Sequence, residues 1–128
     1  MKTVAIYTRV STQEQSQEGY SLGEQESRLR KYADAHGWTV VSVYSDPGYS
    51  GAKLDRPAIS KLMRDVPRHL YDAVIVYKLD RLSRSQKDTL YLIEDVLKAN
   101  NVGLVAMKEN FDTKTPFGEA SIGVLDVV

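Results

Sequence analysis

Apolar residues along this 128-residue chain switch repeatedly between two spacings. Four short blocks are continuous or alternating: Thr3 to Thr8, Trp38 to Tyr44, Ala73 to Tyr77 and Val102 to Met107. That period suits strands, and the continuous run at Ala73 suits a central parallel strand covered on both sides. Between them the spacing becomes three, four and seven, the mark of a helix with one apolar stripe. Leu22, Leu29, Tyr32, Ala33 and His36 form such a stripe over 22–36. Ile59, Leu62, Met63 and Val66 form a second, in a helix opened by Pro57 and ended or kinked by Pro67. Leu90, Leu92, Ile93, Val96 and Leu97 form a third over 86–100, apolar far enough round to predict cover on more than one side. Local chemistry supports these boundaries. Ser21 with Glu24, and Ser85 with Asp88, carry capping spacing, and Gly37 is a helix stop.

Strand and helix alternate, so the predicted fold class is α/β. It has three layers, a mainly parallel sheet of about four to five strands, and helices on both faces. The stretch 109–116 reads as a loop. From Phe117 to Val128 an apolar helix begins without a stop signal or polar tail. Its apolar residues need a partner surface, which points to a longer helix cut short, whose remainder carries an oligomer interface.

Composition narrows the class. Apolar content of 42% and charged content of 27% are those of an ordinary globular domain. No cysteine is present, which excludes disulfides, thiolate metal sites and cysteine nucleophiles. No apolar run predicts a signal peptide or membrane span, so a cytoplasmic location is expected. The formal net charge is zero, whereas a nucleic-acid binder usually carries a basic excess. The distribution of charge therefore matters more than its sum.

That distribution is uneven. Side chains alternate along a strand, so Tyr7, Arg9 and Ser11 point one way and Val4, Ile6, Thr8 and Val10 the other. A hydroxyl and a guanidinium thus leave the carboxyl end of the first strand together, with Gln15 close behind. The loop after the second strand carries Asp46, Lys53 and Arg56. The loop after the third carries Lys78, Asp80, Arg81 and Arg84. In open α/β sheets ligands bind outside the carboxyl ends of the strands. If the loops converge, guanidiniums about 8 Å apart repel by about 2 kcal/mol at an effective dielectric near 20. Carboxylates between them or a bound anion would make that tolerable, and phosphate suits arginine's fork. Arg81 and Arg84, three apart, share one side if their segment is a helical turn, with Leu79 and Leu82 on the other.

No histidine is placed to serve as a base, so a Ser-His-Asp triad is not expected. Arginines would instead stabilise the charge of phosphoryl transfer, with Asp80 either moving a proton or holding an arginine. The residues offer no acidic cluster for a metal, and Gly48 and Gly51 make neither a P-loop nor a dinucleotide fingerprint. On these grounds alone a phosphoryl-transfer or phosphate-binding domain for a small molecule stays open. A receiver-like module is disfavoured, because it needs an acidic pocket where these strand ends are basic.

Taken in order, Tyr7-Thr-Arg-Val-Ser-Thr12, Ser50-Gly51 with Arg56-Pro57, and Lys78-Leu-Asp-Arg-Leu-Ser-Arg84 resemble the catalytic domain of the serine recombinases: resolvases, DNA invertases and large phage integrases. Glu18-Gly-Tyr-Ser-Leu-Gly-Glu-Gln25 and the Asp55-Arg-Pro57 form of the second loop look most like the large integrase branch. The resemblance implies a resolvase-like catalytic domain over 1–116 and the start of a long oligomerisation helix over 117–128. The DNA-binding domains, and a further arginine on that helix, lie beyond this chain, which would explain the neutral charge. It implies Ser11 as the nucleophile that cleaves DNA and keeps the 5′ phosphate. It further implies Arg9, Arg81 and Arg84 around that phosphate, Asp80 as a proton carrier, and Tyr7, Gln15, Gln25, Asp46, Arg56 and Lys78 as supporting or DNA-contacting residues. No metal or nucleotide cofactor is implied. The partners implied are double-stranded DNA attachment sites and further copies of the protein, two on DNA and four in synapsis.

Overall fold

A computed structural model describes residues 2–13 and 21–114. The expected helix from Phe117 onward lies outside these residues. The sheet has five strands: β1 (Thr3–Val10), β2 (Thr39–Pro47), β3 (Ala73–Val76), β4 (Gly103–Ala106) and β5 (Phe111–Asp112). Their order is β2-β1-β3-β4-β5, parallel except for β5, which runs antiparallel to β4. The chain moves outward from β1 to β2, then crosses back to β3. The carboxyl ends of β1 and β3 therefore flank the point where the winding reverses, the place where such sheets bind ligands.

Two apolar layers hold the sheet. On one face Val4, Ile6, Ala73, Ile75 and Val105 pack under Leu29 and Ala33 of α1 (Leu22–Ala35). On the other, Ala5, Tyr7, Val74, Val76, Leu104 and Ala106 pack under Ile59 and Leu62 of α2 (Pro57–Asp65) and under Leu92, Ile93, Val96 and Leu97. β1 and β3 are buried on both faces, as their continuous apolar runs require. β2 lies at one edge of the sheet. A register skip opposite Val4 and Ala5 leaves Val41 in a bulge, and Val41 and Val43 stay open to solvent.

The expected caps form. Ser21 Oγ accepts from the Glu24 amide at 3.1 Å, and Ser85 Oγ from that of Asp88 at 3.2 Å. Gly37 takes a left-handed φ of 74° just past α1. α1 nevertheless buries a narrower stripe than its spacing predicts. His36 is exposed, while the polar Gln25 is buried completely.

Three elements differ from expectation. The segment after β3 is a single turn, α3 (Leu79–Leu82), followed by Ser83 in extended conformation. The helix at 86–100 is α-helical only in α4 (Gln86–Leu90). It widens to π winding over Tyr91–Leu97 and tightens to a 3₁₀ turn over Lys98–Asn100. Leu92 and Val96, like Ile93 and Leu97, are four apart, and winding wider than 3.6 residues per turn keeps both pairs on the sheet. One face is covered, and Tyr91 on the other is 44% exposed. The third difference is β5, found where a loop was expected. It is two residues long and pairs through Val105–Asp112 and Ala106–Phe111.

Candidate active site at the carboxyl edge of the sheet

β1 delivers Arg9 and Ser11 to the carboxyl edge, and hydrogen bonds on both sides of Ser11 fix its backbone. The Gly48 and Tyr49 amides donate to Val10 O at 2.7 and 3.2 Å, and Thr12 Oγ1 donates to Gly48 O at 3.3 Å. Ser11 itself is partly buried. Gln25, from the second turn of α1, extends this anchoring. Its side-chain amide donates to Arg9 O at 3.0 Å and accepts from Arg9 N at 3.4 Å, so it meets β1 as a neighbouring strand would.

The arginines expected to crowd an anion instead hold one another's backbones. Arg9 and Arg81 are fully buried. Arg9 Nε donates to Arg81 O at 3.0 Å, and Arg81 Nη1 donates to Arg9 O at 3.1 Å. Arg9 also donates from Nη1 to Tyr49 O at 3.0 Å and from Nη2 to Asp80 O at 2.5 Å. It therefore ties β1 to the loops after β2 and β3. Arg56, equally buried, donates to Lys53 O at 3.0 Å, Leu82 O at 2.6 Å and Tyr7 Oη at 2.7 Å. Backbone carbonyls thus supply much of the negative partial charge that sequence reasoning assigned to carboxylates or a bound anion.

Asp46 completes this frame. Its carboxylate accepts from the Ala58 and Ile59 amides at 2.8 and 3.0 Å and from Tyr7 Oη at 2.7 Å. It caps α2 from a distance, since Arg56 at the N-cap position makes no side-chain capping bond. Burial raises the pKa of the Tyr7 hydroxyl and its bond to Asp46 adds to that, against the pull of Arg56. The hydroxyl stays protonated at neutral pH and passes a hydrogen bond from guanidinium to carboxylate.

Arg81 and Arg84 do not share one side, because the helical turn ends between them. Arg81 is buried against the Asp80 carboxylate, with Nε to Oδ1 at 2.9 Å. Arg84 is exposed, its amide bonded to Gly51 O at 2.8 Å. Burial would raise the pKa of Asp80. The hydrogen bond and charge of Arg81, with the charges of Lys78 and Arg84, outweigh it and hold the carboxyl below its usual range. Asp80 is therefore ionised at neutral pH, able to accept a proton while it holds Arg81. Lys78 precedes α3 and is half-buried. Gln15 lies outside the described residues.

Two contributors escaped sequence reasoning. Glu109 reaches across from the end of β4 and accepts the Leu79 amide at 3.1 Å, holding the start of the turn that carries Asp80 and Arg81. Nothing in its local sequence signals this; only the β3–β4 pairing brings it there. Gly51 is the other. A Cβ at this position would lie 2.7 Å from Arg9 Nη2 and 3.0 Å from Arg84 Cγ. Arg9 cannot yield without breaking its carbonyl bonds, so Gly51→Ala is expected to destabilise the chain by about 1–3 kcal/mol. A lower urea midpoint would register this, and an unchanged midpoint would show that the guanidinium relaxes freely.

A crevice of about 640 Å³ opens beside these groups, lined in part by Asp80, Ser83, Arg84 and Glu109 over Leu79 and Leu90. Among the described residues no group of three metal-ligating side chains gathers, and no helix is long and apolar enough to cross a membrane.

A sheet with this switch point, a serine one residue beyond β1 and an arginine-bound turn after β3 belong to one class of domain. The resolvase N-terminal domain model matches residues 4–128, and the chain belongs to that family, the serine recombinases. Its likeness to particular members is extensive. It is 50% identical to the crystallised N-terminal catalytic domain of TP901-1 integrase, with a TM-score of 0.94, covering 98% of this chain and 93% of that one. A putative DNA recombinase of Bacillus subtilis (strain 168) is 38% identical over 116 residues, 91% of this chain and 22% of the relative. The DNA-invertase of Escherichia phage P1 is 31% identical over 112 residues, 88% of this chain and 52% of the relative. The chain thus spans about a fifth of the first of these two relatives and about half of the second.

Proposed function

We propose that this chain is the catalytic part of a site-specific DNA recombinase that cuts and rejoins duplex DNA through a serine ester. The observation that carries this reading is Ser11, fixed at the switch point beside the Arg9–Arg81 pair. Ser11 Oγ attacks a backbone phosphorus. A serine–phosphate bond forms, the bond to the 3′ oxygen breaks, and its electron pair leaves with that oxygen, which takes up a proton. Asp80, ionised at rest, receives the serine proton and returns one to the leaving oxygen. Arg84, exposed at the mouth, and Arg81 face the charge that grows on the phosphate, with Arg9 as their anchor. The buried Tyr7, Asp46, Arg56 and Gln25 keep the loops in register, and Lys78 adds positive charge at the rim. The ester conserves the phosphodiester energy, so rejoining is the reverse attack by a 3′ hydroxyl and calls for no nucleotide or metal cofactor.

In this reading 1–116 form the catalytic unit and 117–128 begin the oligomerisation helix. The protein works as a dimer on each attachment site and as a tetramer in synapsis, in the cytoplasm of a bacterial host. The test is to incubate the whole recombinase in EDTA with DNA from the flanks of its own genetic element, trap covalent adducts and map the modified peptide by mass. A 5′-phosphate on Ser11 is the expected result. Specific binding with no adduct on Ser11 would refute the nucleophile. Absence of both binding and adduct would favour a small phosphate ester as substrate.

A further inference from the structure

A second group of cations stands on the same carboxyl edge, on the α1 side of the sheet. Tyr77 follows β3 directly and is 8% exposed. The Arg28 guanidinium, from α1, lies 5.6 Å from the centroid of its ring and donates from Nη1 to its hydroxyl at 3.2 Å. The Lys108 ammonium, from the turn after β4, lies 5.7 Å from the same centroid. Both cations are exposed. The negative face of the ring attracts both. Two like charges are thereby gathered at one aromatic.

Neither cation has an ion-pair partner among the described residues, unlike Arg30 on the same helix, which bonds Glu26 at 2.8 Å. The neighbouring Glu109 carboxylate is turned to the Leu79 amide. Arg28 uses one donor on Tyr77, and the rest of its exposed fork is open to solvent. A duplex seated on the edge with one phosphate at Ser11 runs its backbone past further positions on that edge. A chain of zero net charge must take its phosphate contacts from local clusters rather than from a general basic excess.

We propose that Arg28 and Lys108, set by the Tyr77 ring, form a phosphate contact for the backbone of the bound DNA, separate from the contact at the reacting phosphate. The proposal rests on the DNA-recombinase reading. The contact is to backbone, so it carries no sequence preference and acts equally on cognate and unrelated duplexes.

The test measures the affinity of the whole recombinase for a duplex over a range of salt concentrations. In Arg28→Gln/Lys108→Gln the slope of log affinity against log salt is expected to fall by about 0.9, the value for one lost phosphate contact. The same fall is expected on an unrelated duplex of equal length. Arg30→Gln, which removes one charge from the same helix away from the ring, is expected to leave the slope unchanged. An unchanged slope in the double variant would overturn the contact. So would an equal effect of Arg30→Gln, which would mean that only total charge matters. Failure of the unmodified protein to bind any duplex would overturn the recombinase reading itself, and the contact with it.

Discussion

Alanine at Ser11 is expected to leave the whole recombinase bound to its DNA and unable to cut it. The substitution removes one uncharged oxygen from a partly buried position, whereas backbone affinity comes from cations that remain in place. Neither histidine is near the site: His36 ends α1 with its ring Nδ1 2.8 Å from Tyr32 O, and His69 sits in a left-handed turn after α2. Loss of a covalent nucleophile lowers rates on the order of a million-fold. Covalent adduct and nicked DNA should both vanish, while a gel-shift titration should give an affinity within about twofold of the original. Cleavage at the original rate would remove Ser11 from the mechanism.

The largest effect on stability is expected from Arg56→Ala. The guanidinium holds two backbone carbonyls and the Tyr7 hydroxyl inside the domain, at 1% exposure. Truncation leaves Leu82 O without this donor, weakens the clamp on Asp46 and opens a void the size of the side chain. Breaking a buried charged network by removing one member costs about 3–5 kcal/mol, a large part of the 5–15 kcal/mol that holds a typical domain together. The urea midpoint of this chain should fall by about 1 M or more. Arg56→Lys should recover little of the loss, because an ammonium cannot span three acceptors in the guanidinium plane. An unchanged midpoint for the alanine variant would mean that water replaces the guanidinium at no cost.

Much of the frame was legible in the chain because it rests on local rules. Ser21, Gly37 and Ser85 mark helix ends through bonds to residues three or four away, and the apolar blocks at β1, β3 and β4 name their own burial. The elements that escaped depend on distant partners. β5 is a strand only because β4 lies beside it. The π winding after Leu90 answers the surface it packs on. The site divides in the same way. That the loops bearing Arg9, Ser11, Asp80 and Arg81 share one edge follows from a parallel sheet, which the alternation of strands and helices predicts; that β1 and β3 are neighbours is seen only in the fold. The direction in which the guanidiniums point does not follow either, since a carbonyl acceptor has no letter in the sequence. Gly51 looks like any loop glycine until Arg9 is seen against it. Gln25 looks like a surface residue of α1 until the end of β1 is seen to use it.

The exchange of hydrogen bonds between Arg9 and Arg81 spans 72 positions of the chain. It can form only after β1 and β3 have paired, which requires α1, β2 and α2 to be looped out and closed first. Contacts of such separation come late in folding, because the entropy of loop closure precedes their reward. Until then the two guanidiniums remain in water, and the turn bearing Asp80 has no tether to the serine. A nascent or half-denatured chain therefore holds the residues of the proposed site without their arrangement. On the proposed function, the candidate catalytic residues meet only when the sheet is finished, so the arrangement that cutting requires is absent from a partly folded chain.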